Sequence, residues 1–171
     1  MLRAILIGAP GAGKSTVGKA LARELSTSFQ DTDAIIVEEQ GRSITEIFSE
    51  KGEPGFRSIE REVVLKALHS NKGVISLGGG AVLDLKVQGA ITESPATVIY
   101  LSVGLRNVLS RITNRSDRPL LTSDPEKEWL ALFNEREAIY RKLASIEVNT
   151  DNKKAHEVAR ELVKLMGLAH D

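Results

Sequence analysis

Between Gly8 and Ser15 the chain reads GAPGAGKS, and these residue types at this spacing are suited to holding phosphate. Glycines allow successive backbone N–H groups to converge on one anion, and a helix opening just beyond adds the positive potential of its N-terminus. Gly8-x-x-x-x-Gly13-Lys14-Ser15 satisfies the full nucleotide phosphate-loop pattern. Gly11, Ala12, Gly13, Lys14, Ser15 and Thr16 are therefore the expected cradle. Lys14 is expected on the β- and γ-phosphates, and the Ser15 hydroxyl on magnesium. The alternative is a glycine-rich turn that only joins strand to helix. An apolar run before the loop and an amphipathic pattern after it argue against that. The loop does not identify what receives the phosphoryl group, because switches, motors and small-molecule kinases share it.

Candidate acceptor residues lie further along. Asp31-Thr32-Asp33 places two carboxylates two residues apart in an extended turn, where both can face one pocket. One can hold a magnesium-bound water and the other can accept a proton from a hydroxyl. Helix capping by Asp33 is the competing explanation. Arg57 and Glu60, in GEPGFRSIERE, stand one turn apart, either as part of a site or as a surface ion pair. Gly78-Gly79-Gly80 follows an apolar run and gives up chain entropy without packing gain, which suits backbone approaching a ligand; a loose turn is the other reading. No aspartate ends that strand to order magnesium, so Asp31 is the expected substitute. Arg111, Arg115 and Arg118 crowd a polar, proline-containing stretch, either to meet phosphoryl charge or to keep the surface soluble. Arg136 falls beside the buried-face candidates Leu132, Ile139 and Tyr140, where a charge must be paired or face an anion.

Elements must exist to position these groups. With 171 residues, 42% hydrophobic and 27% charged, the chain suits one globular domain, residues 1–171. Basic and acidic residues balance at 23 each, which gives no global field for nucleic acid or an anionic membrane. There is no cysteine, so disulfides and thiol catalysis are excluded; three scattered histidines do not suggest a metal site. No apolar run approaches the roughly 20 residues of a membrane span, and a cytoplasmic location is expected. Residues 3–7, 73–77, 96–103 and 146–150 read as buried strands, with 28–30 a weaker candidate. Helical spacing links Val17, Ala20, Leu21 and Leu25, then Ile59, Val63 and Ala67, and finally Val158, Leu162 and Met166. The alternation predicts an α/β/α architecture around a parallel sheet. Residues 40–56 predict short helices with a capping box at Ser43 and Glu46. Residues 113–128 lack apolar periodicity until Trp129. Both stretches sit at strand ends, where open α/β sheets bind ligands.

Taken in order, GAPGAGKST, DTD, GEPGFR, SLGGG, RPLL and Arg136-x-x-x-Tyr140 resemble the shikimate kinases over nearly the whole chain. The resemblance implies a P-loop kinase fold with five parallel strands ordered 2-3-1-4-5. It also implies a substrate-binding insertion over about 33–60 and a lid over about 112–125. The implied reaction passes the γ-phosphoryl group of ATP to the 3-hydroxyl of shikimate, with Mg2+, in chorismate biosynthesis. By resemblance, Asp33 binds the acceptor hydroxyls and serves as base, and Arg57 and Arg136 clamp the carboxylate. Backbone at Gly79 and Gly80 touches the substrate, and Asp31 lies near magnesium. Arg118 is implied as the lid arginine on the phosphates, Arg111 as the group stacked on adenine, and Lys153 as a residue of the adenine turn. Phe48 and Phe56 wall the carbocycle or simply form core. Where the family usually has a proline after that turn, this chain has Lys154-Ala155-His156. Shikimate and ATP are the expected partners of a monomer. Gluconate or a nucleoside monophosphate is the nearest rival acceptor, but the glycine triplet stands where an arginine-bearing gluconate signature would fall. A catalytically silent interaction module is disfavoured by the intact Lys14, Ser15, Asp33, Arg57, Arg118 and Arg136.

Overall fold

The computed structural model describes residues 1–70, 72–104 and 124–168. Five parallel strands form one sheet in the order β2-β3-β1-β4-β5, as the sequence pattern and the resemblance together anticipate. They are β1 (Leu2–Ile7), β2 (Phe29–Asp31), β3 (Gly73–Ser76), β4 (Thr97–Ser102) and β5 (Ile146–Asn149). Strands buried on both faces must be apolar at every position, and β1 shows how the period of two divides them. Ala4 and Leu6 enter the core beneath helices α1 (Lys14–Glu24) and α6 (Ala155–Leu165), where Val17, Leu21, Val158 and Leu162 complete it. Ile5 and Ile7 enter the opposite core. That core is closed by Val64 of α3 (Ile44–Ser70), Val87 and Ile91 of α4 (Leu85–Glu93), and Tyr140 of α5 (Pro125–Leu143).

A smaller third core lies between α2 (Thr32–Gln40) and α3, built on Ile36, Ile47, Phe56 and Val63. The predicted short helices of residues 40–56 are found with different bounds. One helical run enters α3 at Ile44, breaks at Gly52, where φ is 69° and ψ −179°, and resumes through Pro54 to Ser70. Pro54 is tolerated because it opens the second segment, where an N–H would have no helical acceptor. Half of the capping box is present, with the Glu46 N–H donating to Ser43 Oγ at 3.1 Å.

Helix α5 begins at Pro125, inside the stretch without apolar periodicity, because the Asp124 carboxylate accepts the Lys127 N–H at 3.2 Å and a proline fits the first helical turn. The cap of α2 is Asp31, not Asp33: its carboxylate accepts the Asp33 N–H at 2.8 Å. Among the described residues, no helix is long and apolar enough to cross a membrane.

Candidate active site

The carboxyl ends of β1, β2 and β3 open on one cleft. Gly13 caps α1 with φ 83°, a left-handed geometry that glycine adopts without a Cβ clash, and this turns the loop directly into the helix. Lys14 is buried, and its ammonium group donates to the carbonyls of Gly8 at 2.8 Å and Ala9 at 2.9 Å. Across the cleft, Ser15 Oγ donates to the Asp31 carboxylate, so the cap of α2 is tied to the first turn of α1. Asp33 follows on the first turn of α2. Gly11, Gly13, Lys14, Ser15, Thr16, Asp31, Asp33, Gly78 and Gly79 line this cleft together. Ala12 lies buried beneath the loop.

The glycine triplet is required by crowding. A Cβ on Gly78 would sit 2.8 Å from Asp33 Oδ1 and 2.9 Å from Glu60 Oε2. On Gly80 it would sit 2.5 Å from both terminal nitrogens of Arg57. Three charged side chains therefore press directly on the backbone after β3, and the loose-turn reading fails on this geometry.

Arg57 and Glu60 pair at 2.8 Å, and this pair is not a surface one, because only 3% of Glu60 is exposed. Glu53 lies 3.5 Å from Arg57 Nε, and the Phe56 ring lies 5.3 Å beneath the guanidinium. Burial pushes the Glu60 carboxyl above the usual range. Arg57 opposes that shift, Asp33 adds to it, and Arg136 opposes it more weakly. Two carboxylates and two guanidinium groups thus share one field. Phe48 and Phe56 pack with ring centroids 4.7 Å apart as part of the third core.

Arg136 is 3% exposed, and its Nε has no hydrogen-bond partner among the described residues. One turn on, the Tyr140 hydroxyl donates to the Gly79 carbonyl at 2.6 Å. Spacing alone placed Tyr140 on a buried helix face, one turn after Arg136.

At the other end of the phosphate loop, the Thr150 hydroxyl stands 3.3 Å from the carbonyls of both Ala12 and Ser102. Its neighbour Asp151 accepts the Gly104 N–H at 2.9 and 3.0 Å. Lys153 lies in the same turn, with its ammonium group paired to Glu161 at 3.0 Å. The Lys154 N–H, in the stretch where the family usually has a proline, is taken by the Glu157 carboxylate at 2.9 Å. Arg111, Arg115 and Arg118, with residues 112–123 of the expected lid, lie outside the described residues.

A parallel sheet of this order with a lysine-bearing phosphate loop after β1 defines a P-loop nucleotide-binding protein. Residues 10–167 match the family model described as shikimate kinase. A shikimate kinase from Rhodococcus jostii is 42% identical over 162 residues, 94% of this chain and 95% of its own. One from Mycobacterium avium is 44% identical over 162 residues, 94% of this chain and 91% of its own. A solved shikimate kinase from Acinetobacter baumannii in complex with shikimate superposes with a TM-score of 0.92 at 32% identity, covering 97% of this chain and 93% of that one. The chain belongs to the shikimate kinase family.

Proposed function

We propose that this protein transfers the γ-phosphoryl group of ATP to the 3-hydroxyl of shikimate, giving 3-phosphoshikimate on the route to chorismate and the aromatic amino acids. The observation that carries this reading is the meeting, in one cleft, of the phosphate loop with Asp33, Gly78 and Gly79, while Arg57 presses on Gly80 and the Tyr140 hydroxyl holds the Gly79 carbonyl. A planar carboxylate calls for guanidinium forks, and a hydroxyl acceptor calls for a nearby carboxylate.

In this reading Lys14 turns from the loop carbonyls to the β- and γ-phosphates, while backbone N–H groups from Gly11 to Thr16 hold the remaining charge. Arg57 and Arg136 grip the shikimate carboxylate, and backbone at Gly79 and Gly80 fixes the ring's position. The 3-hydroxyl oxygen attacks the γ-phosphorus and its proton passes to Asp33. The bond from the γ-phosphorus to the bridging oxygen breaks, and ADP leaves with the electron pair. Arg118 and Arg111 are proposed, from the family pattern alone, on the phosphates and the adenine, and Lys153 in the adenine turn. The Ser15 hydroxyl would ligate a magnesium ion, and the Asp31 carboxylate beside it would hold one of that ion's waters. When bound, that ion would neutralise phosphate charge as the bridge breaks. A monomer is proposed as the working unit.

The test is ADP release with Mg-ATP and shikimate, gluconate or a nucleoside monophosphate as acceptor. Shikimate should be turned over far faster than either rival, and equal turnover with gluconate would overturn the assignment.

A further inference from the structure

Tyr140 belongs to neither the phosphate loop nor the set of groups proposed to touch shikimate, yet it is bonded to one of them. Its ring is fully buried in the core between α5 and the sheet, stacked on Tyr100 with centroids 5.1 Å apart and 27° between planes. A hydroxyl placed there needs a partner, because an unsatisfied buried polar group is costly. Its proton goes to the Gly79 carbonyl at 2.6 Å, across 61 residues of sequence.

We infer that Tyr140 is a positioning residue for the acceptor: its hydroxyl fixes the orientation of the Gly79–Gly80 peptide. The inference rests on the proposed role of Gly79 and Gly80 in binding shikimate. A carbonyl held on one side of a planar trans peptide turns the Gly80 N–H to the opposite side, away from Tyr140. Burial pushes the phenol's pKa well up, with Arg136 opposing, so the group remains a donor at any working pH.

Tyr140→Phe keeps the ring and its stack and removes only the hydrogen bond to Gly79. Its affinities for shikimate and for Mg-ADP should be measured by titration beside Arg136→Lys and Tyr100→Phe, the latter removing a hydroxyl from the same stack. The expected result is a shikimate Kd raised about tenfold or more in Tyr140→Phe, the scale of leaving a buried carbonyl without its donor. Mg-ADP binding should stay within about twofold, and Tyr100→Phe should bind shikimate as the parent does. If Arg136→Lys weakens shikimate binding and Tyr140→Phe does not, the positioning role is wrong and the carboxylate clamp survives. If neither variant weakens it, the clamp itself is wrong and the inference falls with it. Equal weakening by Tyr100→Phe would also overturn the inference, by showing that the stack matters and the hydrogen bond does not. Should Tyr140→Phe prove unstable, the rise in its melting temperature on adding shikimate reports affinity without needing a robust fold. A rise equal to the parent's at the same shikimate concentration refutes the role.

Discussion

Replacing Gly80 by alanine should separate folding from acceptor binding. The backbone there has φ −96° and ψ −1°, which alanine adopts without strain, so loss of unfolded-state freedom contributes about 0.4–1 kcal/mol in favour of the variant. Against this, the new methyl carbon would sit 2.5 Å from both terminal nitrogens of Arg57, and ordinary contact begins at 3.4 Å. The guanidinium must retreat by the difference, about 0.9 Å, since it is the movable end of a flexible side chain. That retreat takes it off Glu60, now 2.8 Å away, and a hydrogen bond to a charged, largely buried carboxylate is worth about 1.5–3 kcal/mol. The net loss of about 1–2 kcal/mol lowers the melting temperature by roughly 2–8 °C for a chain of this size. The functional effect is larger, because about 1 Å of misplacement in a positioning group can cost on the order of 10²-fold. Steady-state assays on the folded variant should show the shikimate KM up by at least about tenfold and the ATP KM nearly unchanged. A shikimate KM within about twofold of the parent's would refute the reasoning, since Arg57 would then have moved without consequence for the acceptor.

Asp33→Asn should keep the shape of the cleft and remove the proton acceptor, lowering kcat by roughly 10²–10⁴-fold. Near-normal turnover in a folded variant would exclude a catalytic role. Glu60 offers a test by pH. Because burial raises its carboxyl above the ordinary value of 4.5, the native state binds that proton more tightly than the unfolded chain does. Its contribution to stability is therefore fully present below 4.5 and is lost as the pH rises through the raised native value. Melting temperature measured across this window should fall less, or rise more, in Glu60→Gln than in the parent; parallel profiles would show that Glu60 does not titrate there.

What could be read from the sequence was whatever depends on local backbone demands or unbroken apolar runs. The phosphate loop was legible because its glycines, lysine and serine act within eight residues. Strands β1, β3 and β4 were legible because both their faces are buried. Strand β2 was faint because it is three half-buried residues at the sheet edge. Helix α2 was hidden because Ala34, Ile35, Ile36 and Val37 run together without a 3.6-residue period, and α4 because only Val87 and Ile91 mark its buried face. In the site, Arg57 and Glu60 were visible as neighbours one turn apart, but that Glu60 is buried depends on α2 and on the glycine triplet folding over it. The hydrogen bond from Tyr140 to Gly79 joins α5 to the end of β3, which no spacing rule reaches.

The contact between Thr150 and Ala12 has a consequence for the order in which the protein matures. These residues are 138 positions apart, and the backbone N–H of Thr150 also donates to Ser102 at 2.9 Å. The phosphate loop is therefore assembled early in the chain but braced from near its far end. During synthesis, which proceeds N-terminal end first at about 5–20 residues per second, β1, the loop and α1 all emerge well before β5 can dock. Closing so long a connection carries an entropic cost that must be met before the brace stabilises anything. The ribosome thus releases the part that grips phosphate long before the part that holds it rigid, and a fully braced nucleotide grip appears only when the last strand has joined the sheet.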